Sequence, residues 1–94
     1  MATVTTTLTL QPQAVPLVKA GIELKRRALE FSRRRYHERL SAFEKRHGFD
    51  SQTFAAKFNA GELGDKPDWF EWQYVWESFL ETQRQIELIS SIAL

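Results

Sequence analysis

Glu44 and His47 stand three residues apart in a stretch free of helix breakers. Di-iron helical bundles use this spacing to present a carboxylate and an imidazole on one helix face, and a homodimer would supply two such pairs. Such a site also needs carboxylates on facing helices, and the segment expected to face this one offers tryptophan, phenylalanine and aliphatic side chains there. The preferred reading places His47 at a helix C-terminus, where the dipole favours it, with Glu44 beside it. A metal-binding helical-bundle enzyme is the remote alternative, and no metal or other cofactor is expected. His37 and His47 fall about 15 Å apart along one helix and do not form a site together. No nucleophile–base pair, phosphate loop or paired carboxylate is present in the sequence, so the chain is not expected to be an enzyme.

The triplets Lys25-Arg26-Arg27 and Arg33-Arg34-Arg35 raise nucleic-acid binding. Successive helical residues point about 100° apart, so each triplet is spread around the axis and forms no single basic stripe. Glu23 is placed to pair with Arg27, and Glu30 with Arg34, four residues on. Net charge of +1 and the lack of a base-reading motif also count against nucleic acid, which leaves a DNA-binding transcriptional regulator as the alternative function. A ribbon-helix-helix repressor would use a strand like residues 3–10, but its helices are much shorter than the first one here.

Charge is divided along the chain. Residues 1–47 hold ten Lys/Arg against four Asp/Glu, a net of +6, and residues 48–94 hold three against eight, a net of −5. A helix hairpin with a basic arm along an acidic arm is the simplest physical account. A chain of 94 residues makes one domain and buries a smaller fraction of its surface than an average domain, so a homodimer is expected. The lack of cysteine fits a reducing cytosol. Met1 to Leu10 have neither a basic start nor a continuous apolar run, and no apolar stretch approaches a membrane span, so the protein is expected to be cytoplasmic, with no membrane partner.

Three helices must position these groups. Residues 3–10, rich in Thr with Val4, Leu8 and Leu10, read as a short strand or flexible tail, and residues 1–15 are set apart from a single helical domain over 16–94. After Pro12 and Pro16 a helix of about thirty residues runs to His47, with Gly21 its weak point and Gly48 its left-handed cap. Asp50 or Ser51 starts a short helix, with Phe49 and Phe54 as a hydrophobic staple and Gly61 at its close. Asp65 is read as the cap of the last helix, which has Pro67 in its first turn and Asp68 beside its positive end.

On helical projection the first helix has two apolar arcs, Ile22, Leu29, Tyr36, Leu40 and Phe43 on one and Leu17, Leu24, Ala28, Phe31 and Ala42 on the other. The last helix has a broad arc of Trp69, Trp72, Val75, Trp76, Phe79, Leu80, Ile86 and Ala93, and a narrow stripe of Phe70, Tyr74, Leu88 and Ile92. Seven-residue repeats at Ile22, Leu29, Tyr36 and Phe43 and at Trp72, Phe79 and Ile86 suit antiparallel packing. One hairpin uses one face of each helix, so the second arc of the first helix predicts self-association. The outer stripe Phe70, Tyr74, Leu88 and Ile92, helped by Val4, Leu8 and Leu10, is the predicted partner surface.

The order Phe43, Glu44, Lys45, His47, Gly48, Phe49, then Phe54 and Phe58, then Asp68, Trp69, Phe70, Glu71 and Trp72, resembles a family of small helical prokaryotic proteins encoded beside toxin-like genes. The likeness spans Tyr36 to Glu77. It implies an antitoxin-like role with a cognate toxin-like protein as partner. Together these readings predict an all-α protein: a long antiparallel helical hairpin with a short intervening helix, acting as a non-enzymatic protein-protein interaction module.

Overall fold

The structure, a computed structural model, describes residues 4–94 and is all-helical, with no strand among the described residues. Residues 4–11 form neither helix nor strand, so the strand alternative for residues 3–10 does not form from Val4 onward; the predicted tail's first three residues lie outside the described range. A 3-10 turn over Pro12–Ala14 leads into α1, Val15–His47. The helix starts two residues earlier than expected because Pro16 is tolerated in its first turn, where its missing N–H is no loss. It runs without a break through Gly21.

The turn out of α1 follows its local code. Gly48 takes φ 81°, a left-handed conformation that a side chain would strain, and its N–H returns to the Glu44 carbonyl. α2, Ser51–Asn59, is capped by Asp50, whose carboxylate accepts from the Thr53 N–H at 2.7 Å. α3, Pro67–Ser90, departs from expectation at its start. Its N-cap is Lys66, which makes no side-chain bond, so Asp65 does not cap it. Pro67 fixes the first helical position and leaves Asp65 one residue too far out to serve.

The core is polarised. Leu40, Phe43, Phe54, Trp69, Trp72 and Val75 form one buried cluster where α2 meets α1 and α3, with Tyr36, Phe49, Phe58, Trp76 and Phe79 packed around it. Trp72 is 0% exposed and is the hub. Its ring stacks on Phe54 at 4.1 Å, on Phe43 at 5.4 Å and on His47 at 5.4 Å, and Phe49 leans on it at 5.3 Å. The predicted staple of Phe49 and Phe54 is thus joined through Trp72. Away from this end, Leu29 is the last buried residue toward the start of α1, and Thr82 the last toward the end of α3. Ile22, Ile86 and Ile89 are half-buried, while Leu80, expected in the buried arc, is exposed because one neighbouring helix cannot cover so wide an arc.

Contacts between α1 and α3 pair His47 with Trp69, Phe43 with Trp72 and His37 with Phe79, so residue numbers fall along α1 as they rise along α3. The body is elongated, 56 × 26 × 17 Å. No described helix is long and apolar enough to cross a membrane.

Candidate functional site

Glu44 and His47 have separate structural duties. The Glu44 carboxylate accepts from the Ser51 N–H at 2.8 Å, which satisfies a free amide at the start of α2. Ser51 is itself buried, and its hydroxyl accepts from the Trp72 indole N–H at 2.9 Å. His47 lies against Trp69 and Trp72 with its Nε2 3.0 Å from Asp68 Oδ2, and Arg46 donates to the same oxygen at 2.9 Å. His47 ends α1, as expected, and a carboxylate on the facing helix holds its ring in addition to the helix dipole. Among the described residues no three His, Asp or Glu side chains come together as a metal-binding group.

Hydrogen bonds from Arg46 and then His47 hold the Asp68 carboxyl below its ordinary value of 3.8. A depressed folded value means that the stabilisation is fully present above the unfolded value and is lost as the pH falls through the folded one. Asp68→Asn is expected to lower the thermal midpoint at neutral pH. The variant and the parent are expected to converge as the pH drops well below 3.8, the range a melting series across acid pH reads.

The charge division is only partly neutralised inside the molecule. Arg39–Glu71 at 3.2 Å and Arg46–Asp68 at 2.9 Å link α1 to α3, with His47–Asp68 beside them. The other ion pairs stay within one helix: Arg26 and Arg27 with Glu23, Arg33 with Glu30, and Arg84 with Glu81. Glu30 thus pairs at a spacing of three, with Arg33, in place of the expected Arg34. Bonds from Arg84 and Gln85 lower the Glu81 carboxyl to about 2, so it stays ionised at every physiological pH.

All seven residues of the predicted partner surface are exposed, but they do not form one stripe. Phe70 is 54% exposed and meets Phe58 edge-on at 5.8 Å, beside a shallow cleft that Leu63 and Asp65 also line. Tyr74, 62% exposed, lies one turn on, facing a cleft with Tyr36, Glu77 and Glu81. The acidic Glu77 and Glu81 then interrupt the same helix direction before Leu88. Ile92 is past the end of α3 at Ser90 and lines a groove with Ile22, Ile89 and Leu94, rimmed by Lys19, Glu23 and Arg26. Val4, Leu8 and Leu10 are exposed in the irregular segment before α1.

On α1 the second apolar arc is open, as projection predicts. Leu17 is 74% exposed and Leu24 71%, with Phe31 and Ala28 exposed in the same direction. Arg35 lies over the Phe31 ring at 5.8 Å. Leu63 was not singled out by the sequence, and Ser51 was read only as a possible cap, since the burial of each depends on how α2 and the turn after it fold against α3. No protein-family model matches the chain, and no curated protein or solved structure matches it.

Proposed function

We propose that the protein is a non-enzymatic protein-binding module, an antiparallel helical hairpin that pairs with a second copy of itself and acts as the antitoxin-like partner of a toxin-like protein in the cytoplasm. The observation that carries this reading is the aromatic shelf at the start of α3. Phe70 is propped on Phe58 and stays half exposed above a well-packed core, a placement that costs solubility and is recovered when a partner covers the ring. The falling and rising residue numbers across Phe43–Trp72 and His37–Phe79 support the hairpin, and the resemblance over Tyr36 to Glu77 supports the antitoxin-like role.

The test is binding to the product of the neighbouring toxin-like gene. Phe70→Glu is expected to abolish the complex with helicity unchanged, since a buried interface aromatic replaced by a carboxylate loses its contact and leaves a charge to desolvate. Ile92→Glu reads whether the groove at the far end belongs to the same contact. A folded Phe70→Glu protein that binds with unchanged affinity refutes the shelf as the partner site.

A further inference from the structure

Tyr36 lines two clefts at once. On one side it meets Phe31, Ser32, Arg35 and Arg39 of α1, and on the other Tyr74, Glu77, Ser78 and Glu81 of α3. These two rows therefore flank Tyr36 on one face of the molecule, a basic ridge beside an acidic one. Arg35 has no ion-pair partner in its own chain among the described residues, and the Glu77 carboxylate takes only the Gln73 amide, whereas Arg39 already reaches Glu71 and Glu81 already holds Arg84, so each contact across the face sets one free charge against one that is shared. The contacts Phe43–Trp72 and His37–Phe79 set the levels along the helices: Arg35 is level with Glu81, Arg39 with Glu77, and Ala28 with Leu88.

We propose that this face is the contact between two copies of the chain, related by a two-fold axis that runs parallel to α1 and α3 along the Tyr36 valley. Such an axis exchanges the ridges and keeps every residue at its own level. Each Arg35 then meets the partner's Glu81, and each Arg39 the partner's Glu77. Toward the open end, the partner's Leu88 seats over Ala28, the small residue between Leu24 and Phe31, so that the exposed apolar arc of α1 is covered where the chain's own core is thinnest. A two-fold axis across the helices would instead lay arginine on arginine, and like charges in contact are strongly disfavoured. Opposite signs select the parallel axis.

This inference names the surface for the self-association part of the proposed function and rests on it. Sedimentation of the full chain at micromolar concentration is expected to show a dimer that weakens as salt is raised. Arg35→Glu and Glu81→Arg are each expected to raise the dimer Kd about tenfold or more, because symmetry makes every substitution act twice. The combined variant is expected to return toward the parent, since it restores opposite charge at both contacts. These side chains are exposed, so circular dichroism is expected to stay unchanged throughout. Tightening by Arg35→Glu would mean that basic ridges face each other and overturns the arrangement. An unchanged Kd for either single variant, or no gain from combining them, overturns the surface while leaving self-association standing. A monomer at all concentrations overturns both.

Discussion

Trp72→Ala is expected to cost about 3–5 kcal/mol of folding stability, a large part of what a domain of this size possesses. The ring is fully buried, and three aromatic groups stack on it, so truncation removes contact area and leaves a cavity that stiff neighbours fill poorly. It also strips the Ser51 hydroxyl of its donor in a buried position, which adds an unsatisfied polar group. Because Ser51 opens α2, the loss spreads from α3 to the short helix. Chemical denaturation reads the effect. A change under about 1 kcal/mol would show that the aromatic cluster does not dominate stability. Trp72→Phe is expected to lose less, since it keeps most of the stacking and gives up the indole donor.

The parts of this fold legible in the sequence are those fixed by a few consecutive residues. Gly48 ends α1 and Asp50 starts α2 because left-handed caps and side-chain caps depend on neighbours at most three residues away. Projection also separated the buried Leu29, Leu40, Phe43, Trp72 and Val75 from the exposed Leu17, Leu24 and Phe31. It failed for Ile92, which it kept on the stripe although the helix ends at Ser90, close to the end near Ser91 that the sequence pattern suggests. No glycine marks that boundary, and the Ser91 hydroxyl bonding back to the Leu88 carbonyl at 2.6 Å accompanies the exit of the chain, which carries Ile92 off the helical stripe. At the start of α3, Asp65 looked like a cap by residue type, yet Pro67 decides the first helical position and hence the cap.

The candidate site was legible as composition and illegible as arrangement. Exposure of Phe70, Tyr74 and Leu88 follows from helix periodicity alone. The support of Phe70 by Phe58 does not, because it requires the path of α2 across α3. The same holds for Glu44, whose bond to the Ser51 amide spans a turn that periodicity says nothing about. The opposite charges of the two halves were plain, but the natural reading, attraction within one chain, accounts for two arginine–carboxylate links between α1 and α3. The remainder faces outward on ridges, and a ridge is a property of packed helices.

A polarised core has a dynamic consequence that hydrogen exchange is expected to reveal. In dilute solution, amides of α1 before Leu29 and of α3 after Thr82 are expected to exchange at least about 100-fold faster, relative to unstructured rates, than those beside Phe43, Phe54 and Trp72. Exchange from a folded helix requires local opening, and the free energy of opening scales with the apolar surface it exposes. At the open end that surface is supplied by half-buried Ile22, Ile86 and Ile89, whereas at the other end it includes the whole aromatic cluster. Helix propensity offsets little of the difference, because isolated helical segments of this length are marginal in water. If two copies meet along the Tyr36 valley, raising the concentration covers Leu24, Phe31 and Leu88, and protection at the open end is expected to rise while the core end stays the same. Uniform protection along α1 at every concentration would show that the two helices cohere over their full length without help, and would remove the reason for a second copy to cover that end.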